Sequence, residues 1–348
     1  MKLQQASDIR GPFDIDCVIV EVEGSSTLRA SIQSVLNAEY NKGAVRIFYV
    51  SRGYSEEGAQ IAARFDEVEV LTLHTAYPTP GAQRNLGWRS GDAPFVQLLD
   101  ADTTLVPDFW TRAMAQFRQG VAAVRGRREE RYPEASAYNW IADVEWNPPP
   151  GKCDAFGHDV LIRRSSLETT GGYDEELVGG EEVELSHRVV QEGYTILHLD
   201  ASMTRHDLVM DSPIPYWRAA YRNGYGFAAV TFRHRKHEKR YWIAELDRIA
   251  LRGGAAIALI VLALLWTLWT LLGLVLLIPA LALLLAQKLM GRQRFAKSHY
   301  LSQSRSAVYA WHCAFVVVPQ FFGIIRFFIA KIFRWPLRNK RASSSYTR

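Results

Sequence analysis

Apolar and polar positions follow a repeating order through the first half of the chain. Residues 16–22, "DCVIVEV", form a short run rich in β-branched residues, which predicts a strand. Leu28, Ile32, Val35 and Leu36 then recur at helical spacing within residues 26–40, and Ser26 stands where an N-cap belongs. The same reading gives a strand over 45–51, a helix over 55–65 and a strand over 67–73. A short helix follows within 79–91 and a strand over 94–100. This alternation predicts an α/β fold with a parallel sheet covered by helices. Ligands of such sheets lie beyond the carboxyl ends of the strands.

The pattern changes near Gly253. Residues 253–287 carry no charge. At about 1.5 Å per residue, one helix of that length overshoots a hydrocarbon core of about 30 Å. A transmembrane hairpin joined near Trp269–Leu272 is the more economical reading, with Trp266 and Trp269 at the far interface. A single tilted span and a buried soluble hairpin are the alternatives. Arg248 and Arg252 precede the apolar segment, and Lys288, Arg292 and Arg294 follow it, which places both flanks in the cytoplasm. The apolar stretch 307–333 is interrupted by Pro319, Arg326 and Lys331, and residues 214–241 mix aromatics with cations. Both read as amphipathic helices on the membrane surface, with a third span as the alternative for the former. The expected organisation is a catalytic domain over 1–210, interfacial helices over 211–250, a hairpin over 251–290, and interfacial helices with a basic tail over 291–348.

Composition narrows the classes. The 348 residues are 48% hydrophobic and 22% charged, which suits neither a disordered chain nor a wholly membranous one. The net charge of +5 is concentrated in 233–240 and in the tail. These segments flank apolar spans, so acidic lipid headgroups explain them better than nucleic acid does, and no nucleic-acid partner is expected. Cys17, Cys153 and Cys313 are far apart and form no C-x-x-C, so neither a disulfide framework nor a zinc site is expected. The opening residues carry no apolar run of the kind a secretory signal needs.

The candidate chemistry begins at "LLDADTT". Asp100 and Asp102 fall at the carboxyl end of a predicted strand. Two close carboxylates repel, and a hard divalent cation bridging to phosphates relieves the repulsion. A turn cap is the plainer explanation. A haloacid-dehalogenase-type phosphatase nucleophile also fits the local pattern, but that motif sits on a first strand and needs a later acidic site absent here. Further on, Glu181 and Glu182 open a predicted helix, where the dipole and free N–H groups favour carboxylates. They serve either as capping charges or as a general base.

Taken in order, "VIVEVEGSSTLRASIQSVLNAEY", "AQRNLGWRSGDAPFVQLLDADTTLVPDF", "FGHDVLIRRSSLETTGGYDEELVGGEEVELSHRVVQEGY" and "LDASMTRHD" resemble the inverting family-two glycosyltransferases of the GT-A fold. The resemblance covers roughly residues 14–207. It implies a GT-A type nucleotide-diphospho-sugar transferase fold with a mixed, mostly parallel sheet. It implies that Asp100–Ala101–Asp102 is the D-x-D element holding donor diphosphate and metal, Mg²⁺ or Mn²⁺, with His206 completing the metal site. Glu182 is implied as the catalytic base, with Glu181 beside it. Arg84 and Asn85 are implied near the nucleotide, and Gly157 and His158 in a loop facing sugar and acceptor. Two places depart from the family. Glu21–Val22–Glu23–Gly24 replaces its P-T-Y-N, and Ser51–Arg52–Gly53 stands where it carries a nucleoside-contacting acid, a role Glu23 could take over. No Q-x-x-R-W motif is present, which argues for transfer of single sugars.

The implied partners are a nucleotide-diphosphate sugar, a lipid-linked or cell-envelope glycan acceptor, and membrane lipids. The implied location is the cytoplasmic face of the inner membrane, on a multi-pass anchor. A non-catalytic binding subunit of a membrane complex is the alternative.

Overall fold

The computed structural model describes residues 13–21, 26–40, 43–53, 56–75, 78–208, 210, 212–236, 241–285, 301–333 and 335. They form two compact units, one of 13–133 with 142–208 and one of 134–141 with 210–335.

The first unit is built on a nine-stranded sheet of order β3-β2-β1-β4-β8-β6-β9-β5, with β7 pairing β9. The strands are β1 Phe13–Val20, β2 Ala44–Ser51, β3 Val68–Thr72, β4 Phe95–Asp100, β5 Thr103–Leu105, β6 Val121–Glu130, β7 Gly151–Cys153, β8 Val160–Arg163 and β9 Thr195–His206. β3, β2, β1 and β4 run parallel, β8 runs against both β4 and β6, and β9 runs parallel to β6. The sheet is therefore mixed, with most strands pointing one way.

Both faces are covered, so the central strands read as near-continuous apolar runs. Ile15, Cys17 and Ile19 face one core with Leu28, Ile32 and Val35 of α1 (Leu28–Leu36) and with Phe109 and Trp110 of α4 (Phe109–Met114). Val18 and Val20 face the other core, with Trp88 of α3 (Pro80–Ser90), Leu167 of α6 (Arg164–Thr170), and Leu185 and Val189 of α7 (Glu181–Gln191).

Two helix starts matter for the site. α3 is capped by Thr79, whose hydroxyl accepts from the Ala82 N–H at 3.1 Å, with Pro80 in the first turn. α7 begins after Gly180, whose φ of 81° is open to glycine at little cost. The expectation of Ser26 as the α1 cap is corrected. The capping position is Thr27, and its hydroxyl donates instead to the Ala101 carbonyl at 3.1 Å, tying the helix start to the turn after β4.

The second unit is helical. Helix α8, Pro213–Arg233, packs on the helix Val317–Ile332. A Cβ at Gly224 would come within 2.0 Å of the Gln320 carbonyl oxygen, and one at Gly323 within 2.1 Å of the Tyr221 carbonyl oxygen. Residues 214–233 and 317–332, read as separate surface helices, thus cross at close range in one bundle. Pro319 does not break the second of them because it lies in the helix's first turn, where its missing N–H is not needed.

Ile243–Thr267, 25 residues, and Gln303–Ile332, 30 residues, are long and apolar enough to cross a membrane by length and composition. Leu271–Leu285 is a shorter apolar helix. The chain turns between Thr267 and Leu271, where Thr270 caps the Leu272 N–H at 3.0 Å, and Gly273 lies against the Ala263 carbonyl. Trp269 is 87% exposed at this turn.

Candidate active site

The carboxyl ends of β1 and β4 and the amino end of α7 bring the acidic residues together. β4 ends at Asp100, and a two-residue turn leads into β5. β5 then pairs with β9 so that Thr103 stands opposite His206, which sets the imidazole against Asp102. The His206 Nε2 to Asp102 Oδ2 distance is 3.0 Å. His206 Nδ1 faces Glu130 Oε2 at 3.6 Å, because β6 pairs Glu130 with His206. Burial lowers the proton affinity of His206, but its hydrogen bonds to Asp102 and Glu130 outweigh that and raise it.

Arg84 is the hub. Its side chain is 1% exposed. Nη2 lies 2.9 Å from Asp100 Oδ1, and Nη1 lies 3.1 Å from Glu181 Oε1 and 3.0 Å from Glu182 Oε1. Burial opposes the charge on Arg84, but Glu182 and Asp100 hold it firmly protonated. His158 Nδ1 is 2.6 Å from Glu182 Oε1. Its loop is fixed to α7, since the Phe156 N–H donates to Ser186 Oγ at 3.1 Å and that hydroxyl donates to the Glu182 carbonyl at 2.6 Å.

These contacts separate the protonation of the acids. Burial would raise Glu182, but the His158 and Arg84 cations hold it well below the usual carboxylate range. Burial and then the adjacent Glu182 charge push Glu181 up to about 7. Asp100 resists burial through His158, Arg84 and Arg128 and is drawn down to about 2. Glu182 above all raises His158 to about 9, although half of the ring's surface is open to solvent, which screens the attraction.

Two residues that sequence reasoning missed complete the cluster. Arg128 Nη1 is 3.4 Å from Asp100 Oδ2 and 3.2 Å from Asp159 Oδ2. Asp159 is 1% exposed, accepts from Thr204 Oγ1 at 2.7 Å and accepts the Asp100 N–H at 3.2 Å. The signal for Arg128 was the charge-rich end of an apolar strand, "AAVRGRREE". The signal for Asp159 was a lone acid just before "VLIR".

Some expected site residues turn elsewhere. Asn85 is 1% exposed, and its amide is spent on the 173–175 loop and on Trp88. Nδ2 donates to the Tyr173 carbonyl and Glu175, while Oδ1 accepts from Trp88 Nε1 and the Tyr173 N–H. It holds α3 in place rather than facing a ligand. Ala101 is 2% exposed, and its backbone bonds to Val20 and Thr27. Gly157 lies near the Arg125 guanidinium. Glu23 lies outside the described residues. At the end of β1, the Glu21 carboxylate accepts the Arg52 N–H at 2.7 Å, and the Arg52 Nη2 donates to the Glu21 carbonyl at 2.9 Å.

The donor set fits a divalent cation in part. Asp102 Oδ1 is buried with no hydrogen-bond partner, beside His206. Asp100, expected at the metal, has both oxygens engaged by guanidinium groups. The protein thus offers two ligands, and among the described residues no group of three or more His, Cys, Asp or Glu is arranged for a metal. Such a pair suits an ion that takes its remaining ligands from phosphate and water.

Residues 17–168 match the family model described as Glycosyl transferase family 2. The chain carries a glycosyl transferase family 2 domain. This family 2 domain adopts the GT-A architecture, as the mixed sheet and flanking helices show. The chain is 23% identical over 259 residues to glycosyltransferase AglE of Haloferax volcanii, covering 71% of this chain and 79% of that one. It is 28% identical over 137 residues to glutamate–tRNA ligase 1 of Rubrobacter xylanophilus, covering 38% of this chain and 31% of the ligase. Among solved structures it resembles the mannosyltransferase PcManGT from Pyrobaculum calidifontis, determined in complex with GDP-Man and Mn²⁺. That likeness has a TM-score of 0.61 and 11% identity over 90% of this chain and 88% of the other.

Proposed function

We propose that the chain is an inverting, metal-assisted glycosyltransferase that moves one sugar from a nucleoside-diphosphate donor to an acceptor hydroxyl. The observation that carries this reading is Arg84, a buried guanidinium joining the strand-end acid Asp100 to the helix-start acids Glu181 and Glu182. It supports a single cleft in which a diphosphate at one side and a base at the other act on the same bond.

Asp102 and His206 would hold the divalent ion, which when bound supplies Lewis-acid stabilisation of the leaving diphosphate. Arg84 and Arg128 add fixed positive charge in a buried site, where such charge needs no reorganisation. Glu182, kept anionic by His158 and Arg84, takes the proton of the acceptor hydroxyl as that oxygen attacks the anomeric carbon from the face opposite the nucleotide. The bond to the diphosphate oxygen breaks with its electron pair leaving on the phosphate. A second reading gives the proton to Glu181, because a base near neutral is better matched to the task and its carboxyl is pushed up to about 7.

The exposed apolar helices support an acceptor carried on a lipid at the cytoplasmic face. Leu268 and Leu271 are 80% and 79% exposed at the turn between apolar helices, a surface lipid would cover. The test incubates membranes bearing the protein with a panel of labelled nucleotide sugars and extracts the lipid. Labelled lipid with inverted anomeric configuration, lost in Glu182→Gln, is the expected result. Label appearing only in water-soluble product overturns the lipid acceptor, and transfer undiminished in Glu182→Gln and Glu181→Gln alike overturns the base assignment.

A further inference from the structure

Arg128 has no place in the chemistry so far beyond its charge, yet it is a buried cation facing Asp100, Asp102 and Asp159 at once. It lies beside register irregularities in the β6–β9 pairing, and its side chain is 7% exposed. Asp159 holds Nη1 at 3.2 Å, Asp100 draws the same nitrogen at 3.4 Å, and the Trp146 ring lies 5.1 Å from the guanidinium carbon. Asp159 is itself anchored by Thr204 and the Asp100 N–H. The guanidinium thus lies buried between the two strand-end acids and Asp159. Its Nη2 stands 3.7 Å from Asp102 Oδ1, the buried oxygen that has no hydrogen-bond partner.

We propose that Arg128 is a positioning residue, a resident cation between Asp100 and Asp102 that makes divalent-metal binding depend on a nucleoside diphosphate. The proposal rests on the donor-site reading given above. A metal ion held by Asp102 and His206 would meet the repulsion of the fixed positive charge on Arg128. It also finds two protein ligands where a hard divalent ion seeks about six oxygens. The ion alone is therefore held weakly. A diphosphate brings anionic oxygens that satisfy the metal and Arg128 together, so each ligand raises affinity for the other, by the same factor in both directions. The arrangement also accounts for two acids at one strand end in the absence of any ion. Arg84 and Arg128 take up Asp100, and Arg128 and His206 flank Asp102.

The experiment measures Mn²⁺ affinity of the full chain by electron paramagnetic resonance, with and without saturating UDP or GDP. The native protein is expected to bind Mn²⁺ at least about tenfold more tightly with the diphosphate present. Arg128→Met is expected to bind Mn²⁺ alone more tightly than the native protein, with a smaller gain from diphosphate, because only the completion of the metal's oxygen ligands then remains. Arg128→Lys keeps the charge and is expected to keep the coupling. A purely structural arginine could not yield tighter metal binding on removal. Should Arg128→Met fail to fold with Asp159 unpaired, Arg128→Gln, whose amide can still donate to Asp159 without the charge, must show the same tightening. Unchanged or weaker Mn²⁺ binding in the folded variant overturns the proposal, as does a native affinity indifferent to diphosphate. If neither nucleotide binds the native protein under any condition, the donor-site reading itself falls, and the proposal with it.

Discussion

The same strands carry a buried charge cluster at each end, and the two are built to opposite plans. At the amino end of β1, Asp16 accepts from Arg46 Nε at 2.8 Å, Arg164 Nη2 at 2.6 Å and the Ala93 N–H at 2.9 Å. Every oxygen there is used by the protein. At the carboxyl end, Arg84 and Arg128 face Asp100, Asp102, Asp159, Glu181 and Glu182. Asp102 Oδ1 and the Nε atoms of Arg84 and Arg128 are buried without hydrogen-bond partners. A native fold rarely tolerates such groups without a reason. The satisfied cluster joins helices to the sheet, and the unsatisfied one lies at the carboxyl ends of the parallel strands, where such sheets take their ligands.

Substitutions should separate the two ends. The largest effect is expected from Glu182→Gln, which leaves the fold in place and lowers transfer by about 10²–10⁴-fold, read from steady-state rates with a labelled donor. Next is Asp102→Asn, which is expected to cost about 10²–10³-fold in transfer with little change in melting temperature. Arg164→Met at the structural end follows. It removes one of Asp16's two guanidinium partners, at a cost of about 1.5–3 kcal/mol seen in denaturant unfolding, while kcat of the folded fraction is unchanged.

The smallest and most local effect concerns pH. The folded-state value of Glu181, about 7, lies above the ordinary 4.5. The folded protein therefore keeps a proton that the unfolded chain has released across that window, and stability falls as pH rises through it. Glu181→Gln is expected to flatten the melting temperature between about pH 4.5 and 7. An unchanged slope would assign the dependence to another group.

Much of the first unit was legible in the chain. Short apolar, β-branched runs marked β1 to β4, a short helix was expected within 79–91, and the acids at 181–182 marked the start of α7. The aspartates at the end of β4 and the glutamates of α7 were legible because strand ends and helix starts are local features. Less visible was which polar side chains point inward. Asn85 follows Arg84 directly, yet one enters the cluster and the other braces a loop, since adjacent helical positions lie on different faces. Arg128 sat in a charge-rich stretch that reads as solvated, and it is buried against Asp100, Asp159 and Trp146 from distant segments. In the second unit, apolar length was plain. The close crossing of Pro213–Arg233 and Val317–Ile332 through Gly224 and Gly323 joins residues about a hundred positions apart, and no local pattern announces it.

The sequence by itself thus determined the alternating α/β order, the acid pair at the end of β4, the acid pair at the start of α7 and the apolar segments beyond residue 250. Periodicity, capping and strand-end chemistry act over a few residues and leave their mark on the chain. Tertiary structure decided which charges meet. It placed Arg84 between both acid pairs, set His206 against Asp102 through the β5–β9 register, and lodged Arg128 between Asp100 and Asp102. Those choices depend on contacts between distant segments, where the low dielectric of the interior decides which charges are paired and which are held in reserve.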